Sequence, residues 1–249
     1  SATALGASPL NWTVTTIDAG ITGNSIVASS SNGYLLVTPG TAAASGYNLQ
    51  VSKTDSSHLN AMRWGSGGQT AISPGRDFYW GARVAISSTS TWNAGLFMGT
   101  AVSDTEVMTP ATGALDSWTN GFGFYFAPAG TVSLVSARSS VITSATLPMA
   151  TTTLAHTSSS FRARDFHDYF IWFHSSNTTG SSGTYWLEAY FDGVLVGKLT
   201  GLTVSSLLSN NTINTFEVIN DPAGAGTDCT FAIAELVNGM PRYHVGTGS

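Results

Sequence analysis

A chain of 249 residues, 42% of them hydrophobic and only 9% charged, can bury a full core and needs no more than one domain to do so. Its formal net charge is -5, and its nine basic residues are scattered from Lys53 to Arg242. No cationic stripe is left to neutralise phosphates, which argues against nucleic acid as a partner. Ser and Thr make up about a quarter of the chain while Lys and Glu are scarce, a bias toward β-structure and polar loops.

At the start, SATALGASPLNWTV lacks a basic stretch followed by an apolar one, and no apolar run reaches the ~20 residues of a membrane span. Neither an export signal nor an anchor is expected. Residues 10–17 (LNWTVTTI) and 34–38 (YLLVT) open a series of strands. The first forty residues, rich in Ala, Gly and Ser, read either as part of the folded domain or as an extended arm lying on a neighbour. In the run from Asp77, residues Phe78, Trp80, Ala82, Val84 and Ile86 share one side of a period-2 strand, and Asp77, Tyr79, Gly81 and Arg83 share the other. One side is core; the other is wet or covered. NAGLFMGTAVSDTEVM follows, and then NGFGFYF, where Phe122, Phe124 and Phe126 lie opposite Gly121, Gly123 and Tyr125. Glycines on that side are expected where another layer or a ligand approaches the backbone closely.

Further strands are expected at 131–136, 168–174, 184–191, 194–200, 215–220 and 229–237, each bounded by turn residues. Asp192-Gly193 between two of them marks a type I′ turn, because both central positions need positive φ, so YWLEAYFDGVLVGKL reads as a β-hairpin. Residues 202–208 offer one short helical turn or a loop. Segments 40–76, 103–119, 139–160 and 175–183 read as long loops, and such loops are commonly functional or ordered by a partner.

Few residues suggest chemistry. Cys229 is the only cysteine, so no intramolecular disulfide forms, and CTFAIAEL reads as a strand with a buried thiol. The sequons at Asn11, Asn177 and Asn210 arise easily in a Ser/Thr-rich chain and do not establish secretion. Asp104, Glu106 and Asp116 share one insertion and are the candidates for Ca²⁺, which takes oxygen ligands; a solvated loop is the plainer reading. Trp64, Trp92, Trp118 and Tyr185 lie near turns, where a glycan could stack or a partner could dock, whereas Trp80 and Trp172 lie inside strands and read as core. Arg162 and Arg164 are candidates for an interface, the alternative again being a solvated loop. Glu188, Glu217 and Glu235 are the acid/base candidates, but no E-x-D-x-x-E cluster sets carboxylates on one strand face. His156, His167, His174 and His244 have no G-x-S-x-G motif to work with.

The order F-Y-W-x-A-R-V, G-L-F-x-G-x-A-x-x-D-T-E, G-x-G-F-Y-F, Y-F-I-W-F, Y-W-L-E-A-Y-F-D-G-V-L-V-G and T-F-A-I-A-E-L resembles the concanavalin A-like, laminin-G-like jelly rolls. In particular it resembles the small virion proteins of tailed phages that decorate or cement the capsid. The matching residues are Phe78 to Val84, Gly95 to Glu106, Gly121 to Phe126 and Tyr190 to Val196, and the likeness covers about residues 75–240. It implies an all-β, two-sheet antiparallel jelly-roll sandwich with very little helix. It further implies a non-enzymatic capsid decoration protein located in the virion and made in the host cytoplasm. The major capsid protein and neighbouring copies in a homo-oligomer would be the partners, with no cofactor, nucleic acid or membrane. The alternatives are a lectin-like adhesion module that binds a glycan, and a glycoside hydrolase or lyase of the same fold, since folds of this kind host many functions.

Overall fold

The structure, a computed structural model, describes residues 2–5, 12–17, 25–29, 33–40, 43–51, 61–62, 77–88, 92–101, 106–116, 120–138, 141–158, 160–175, 184–203, 212–220 and 229–239. In chain order the strands are β1 (Ala2–Leu5), β2 (Trp12–Ile17), β3 (Ser25–Ser29), β4 (Tyr34–Thr38), β5 (Gly46–Val51), β6 (Ala61–Met62), β7 (Phe78–Ser87), β8 (Gly95–Ala101) and β9 (Asn120–Phe126). They continue as β10 (Thr131–Arg138), β11 (Val141–Ala150), β12 (Ala155–His156), β13 (His167–Ser175), β14 (Thr184–Phe191), β15 (Val194–Thr203), β16 (Thr212–Ile219) and β17 (Thr230–Gly239). Helix among the described residues is confined to α1 (Thr151–Leu154) and a 3₁₀ turn at Ala163–Asp165.

Two sheets result, and the fold is the expected all-β sandwich. The larger runs β1-β2-β5-β16-β8-β9-β10-β11, with β6 beside β16; the smaller runs β15-β14-β13-β7-β17-β4-β3, with β12 beside β7. All pairings are antiparallel except the two-residue β12–β7 contact. The first forty residues contribute to these sheets: β2 pairs with β5, and β3 and β4 join the smaller sheet through β17.

The core between the sheets is built from the expected alternation. Phe78, Trp80, Val84 and Ile86, with Phe231 beside them on β17, face Phe122, Phe124, Phe126 and Phe216 of the larger sheet, all buried. Trp80 Nε1 donates to Asn214 Oδ1 at 3.1 Å, so its one polar atom is satisfied inside the core by the opposite sheet. Cys229 is buried in the same cluster. Tyr185, a candidate for the surface, lies in it as well, and so does Trp92, whose Nε1 donates to the Ala127 carbonyl at 2.9 Å.

Two of the expected long loops carry strands. Residues 40–76 contain β5, where Tyr47 and Leu49 alternate with polar Asn48 and Gln50, a strand pattern set within a run that otherwise reads as loop. Residues 139–160 contain β11, which forms an edge of the larger sheet, where a proline such as Pro148 needs no ladder partner on its free side. The segment read as a helical turn or loop at 202–208 begins with the end of β15, and the remainder lies outside the described residues.

The insertion after β8 is folded down onto the larger sheet. A bridge joins Met108 to Leu115, and Val107 and Met108 pack with Ile17, Phe97, Val135 and Ile219 on the sheet's outer face. Beneath lies Gly123, where a Cβ would meet the Phe97 ring at 2.7 Å, the close approach that the glycine side of NGFGFYF implied. The middle of the larger sheet's outer face is thereby covered. Among the described residues, the outer face of the smaller sheet is covered only at one end, where Phe161 and Phe166 pack with Tyr34, Leu36, Ala85 and Ala232.

Candidate functional site

The uncovered part of the smaller sheet is unusual in carrying rings on its solvent side as well as in the core. Along β13 the odd residues Tyr169, Ile171 and Phe173 are buried, while Phe170, Trp172 and His174 alternate outward and are half-buried. Trp172 is therefore not a core residue. On β14 the outward set is Trp186, Glu188 and Tyr190, and on β7 it is Tyr79, Gly81 and Arg83.

Strand register arranges these side chains in rows. One row runs from Glu235 through Arg83 to Asp168; the next runs from Val237 through Gly81 and Phe170 to Tyr190; a third crosses Tyr79, Trp172, Glu188 and Lys198. In β17 a bulge between Ile233 and Glu235 shifts the alternation by one residue. Leu236 then packs against the core, and Glu235 is exposed opposite Arg83.

The glycine leaves a notch in the middle row. Its missing Cβ would stand 3.0 Å from the Phe170 ring and 3.1 Å from Val237 Cγ2. Around the notch opens a groove of ≈ 460 Å³, lined by Phe170, Trp172, Tyr190 and Val237 with Arg83, Asp168 and Glu235 on one side. Arg83 Nη1 lies 4.0 Å from Asp168 Oδ1, and both side chains are exposed, so the pair contributes little stability. The Trp172 indole N–H is buried and meets no acceptor among the described residues.

Beyond the groove the rings continue as a stack. His174 lies between Trp172 and Trp186, with centroids 5.4 and 5.0 Å away and planes within 5° and 16° of parallel. Its Nδ1 faces Asp77 at 3.1 Å and its Nε2 faces Glu188 at 3.0 Å; only the imidazolium donates to both. Glu188 also accepts hydrogen bonds from Tyr190 Oη at 2.9 Å, Lys198 Nζ at 3.2 Å and Trp186 Nε1 at 3.3 Å. Burial alone would raise this carboxyl, but the bonds from Tyr190 and Lys198 and the charge on His174 outweigh it and hold it below the usual carboxylate range. Lys198 Nζ lies 4.7 Å from the centroid of the Trp186 ring. The cluster fixes the orientation of the rings and leaves Glu188 no free lone pair for a proton-transfer role.

At the near end the hairpin turn braces the site. Asp192 and Gly193 have φ of 47° and 78°, as the I′ turn demands. The Asp192 carboxylate accepts the Asp168 N–H at 2.9 Å and faces His167 Nδ1 at 2.7 Å.

The three acid/base candidates are not brought together. Glu217 lies on the outer face of the opposite sheet, fully buried under the insertion, where it accepts N–H bonds from Val107 at 2.8 Å and Met108 at 2.7 Å and from Asn48 Nδ2 at 2.5 Å. Burial pushes its carboxyl up to about 8 in spite of these donors. Glu188 and Glu235 share the smaller sheet but lie on strands separated by β13 and β7, three strand spacings or about 14 Å.

Other expected site residues scatter. Trp92 and Tyr185 are core and offer no stacking surface, a correction that follows from their burial. Arg162 and Arg164 are exposed around the 3₁₀ turn, where Asp165 accepts the Arg162 backbone N–H at 2.7 Å and lies 3.8 Å from Arg164 Nε. Glu106 and Asp116 are exposed in the insertion, and no group of three His, Cys, Asp or Glu suited to a metal occurs among the described residues. Trp64, Trp118 and Asp104 lie outside the described residues. The groove residues were readable in principle, since YFIWFH is apolar on both sides of the strand and a strand with one face in water should not be.

No protein-family model and no curated protein matches this sequence. Solved structures match in fold. A legume lectin-like domain from Entamoeba histolytica superposes with a TM-score of 0.51 at 9% identity, over 94% of this chain and 90% of that one. The Emp47p carbohydrate recognition domain superposes at 0.50 and 10% identity, over 93% and 89%. An alginate lyase of polysaccharide lyase family 7 superposes at 0.45 and 12% identity, over 90% and 86%, too loosely to bear on chemistry. The fold is thus a lectin-like jelly roll, and nothing in these likenesses ties the chain to virion proteins.

Proposed function

We propose that this protein is a non-catalytic carbohydrate-binding domain whose ligand lies across the outer face of the smaller sheet. The observation that carries the reading is the groove itself: three half-buried rings around a glycine notch, flanked by a guanidinium and two carboxylates. A pyranose presents an apolar C–H face and a rim of hydroxyls, so flat rings beside a few oriented polar groups suit it. The names of its fold neighbours, a legume lectin-like domain and a carbohydrate recognition domain, agree with this reading without carrying it.

Binding is preferred to cleavage on geometry. Hydrolysis needs two carboxyl groups ~5 to 10 Å apart across the scissile bond. Glu188 and Glu235 are farther apart than that, and between Asp168 and Glu235 the Arg83 guanidinium occupies the middle position of the row. Capsid cementing, the role suggested by motif order, has no feature of this surface in its favour.

Screening the protein on a glycan array and measuring the best ligand by calorimetry tests the proposal. Trp172→Ala is expected to weaken binding by about tenfold or more, the loss of one stacked ring, while far-UV circular dichroism stays unchanged. Absence of any glycan ligand, or a variant that binds as the wild type does, overturns it.

A further inference from the structure

The charges on the groove point to the class of sugar it takes. Of the cations on this face, Arg83 is drawn toward Asp168, and Lys198 is committed to Glu188 at 3.2 Å and to the Trp186 ring. Glu188 already accepts from four side chains. Glu235 differs: it is exposed, lines the groove, and its side chain forms no hydrogen bond or ion pair among the described residues. The groove therefore presents two carboxylates to one guanidinium, beside the electron-rich faces of Phe170, Trp172 and Tyr190.

We infer that the groove selects glycans bearing a protonated amine, glucosamine-type sugars, and rejects polyuronates; the inference rests on the carbohydrate-binding reading above. An ammonium entering beside the Gly81 notch gains the Glu235 carboxylate and an aromatic face together, and both attractions strengthen as the ligand displaces water. A uronate places its carboxylate against Glu235 and Asp168, and the protein's net charge of -5 repels a polyanion at longer range. An N-acetylated sugar keeps the stacking and loses the ion pair. The polar side of the groove thus acts as a charge filter on top of the stacking that any pyranose would enjoy.

Calorimetry on the full chain with three probes decides the matter: hexamers of glucosamine, of N-acetylglucosamine and of galacturonate, at low salt and at a pH that keeps the amine protonated. The glucosamine hexamer is expected to bind about tenfold more tightly than the N-acetylated one, with the preference shrinking as salt screens the charges, and the uronate not to bind. Glu235→Gln should abolish the preference, weakening the glucosamine hexamer far more than the N-acetylated one. A uronate that binds as tightly as the amine, or a preference that survives Glu235→Gln, overturns the inference while leaving carbohydrate binding in place. If none of the hexamers binds, the inference fails and the glycan array decides the carbohydrate reading; if Gly81→Val, which fills the notch, binds all of them as the wild type does while folded by circular dichroism, both readings fail.

Discussion

Glu217 illustrates how the same residue type serves opposite ends on the two faces of this sandwich. Its carboxyl is buried and held by two backbone N–H groups, and its folded pKa rises from 4.5 to about 8. Between those values the native state retains a proton that the unfolded chain has released, so stability falls as pH climbs through this window and levels beyond it. Thermal melts should accordingly show Tm declining from pH 5 to pH 8 in the wild type, with a flatter profile in Glu217→Gln. Equal slopes in the two proteins would show that another group controls the pH dependence. From sequence, Glu217 looked like one of three equivalent acids in strands. Only the fold-back of Val107 and Met108 distinguishes it, and that contact spans about 110 residues of chain, beyond the reach of any local pattern. Glu235 was hidden for a different reason. The β17 bulge reverses the inside-outside alternation, so a regular strand through Phe231 and Ile233 would have turned Glu235 into the core.

Two strands were legible almost to the residue: the apolar run YLLVT is β4, and the alternating stretch Phe78 to Ser87 is β7. Those that failed to appear lie within Gly-, Ser-, Thr- and Ala-rich runs that read as long loops, although β5 does alternate Tyr47 and Leu49 with polar Asn48 and Gln50. β5 buries Asn48 and Gln50 on its outer side, and β11 carries a proline on a free edge. The middle of the larger sheet has its own constraint, since Gly99 and Gly123 stand directly opposite each other on β8 and β9. A methyl group at Gly123 would meet the Met98 carbonyl oxygen at 2.5 Å as well as the Phe97 ring. Backbone cannot move aside cheaply there, so Gly123→Ala is expected to lower stability by about 1–3 kcal/mol, the usual range for overpacking. Urea unfolding should report it as a lower midpoint at unchanged slope. An unaltered midpoint would mean that the two strands separate more easily than their packing suggests. Loss of the Phe97 cover would also loosen the insertion above it, because Val107 and Met108 share that cluster.

Across the molecule, neighbours in the sheets are distant in sequence. β17 lies between β7 and β4, and β16 lies between β5 and β8, so the sandwich closes only when segments about 110 to 200 residues apart meet. Loop-closure entropy is therefore lost before the core rewards it, and folding is expected on a timescale of milliseconds to seconds or slower. Stopped-flow tryptophan fluorescence measures it, and completion within microseconds would contradict this account of the topology. The single buried cysteine leaves the fold without a covalent brace, so its persistence depends on the packed rings of the core. Fold class was readable because alternation and turn residues are local. The groove was legible only in part: YFIWFH is apolar on both sides, but its surroundings are set only once β17, β7, β13 and β14 are side by side.

The position of β17 has a consequence for ligand-bound molecules. Its residues Glu235 and Val237 form one bank of the groove while β13 and β14 supply the rings on the other. An oligosaccharide lying across them would work as a strap over the seam, resisting detachment of a strand whose release would unzip the sheet on both sides. Amide protons at Phe231, Ala232 and Ile233, which lie outside the groove lining, should then exchange with solvent more slowly in the complex than in the free protein.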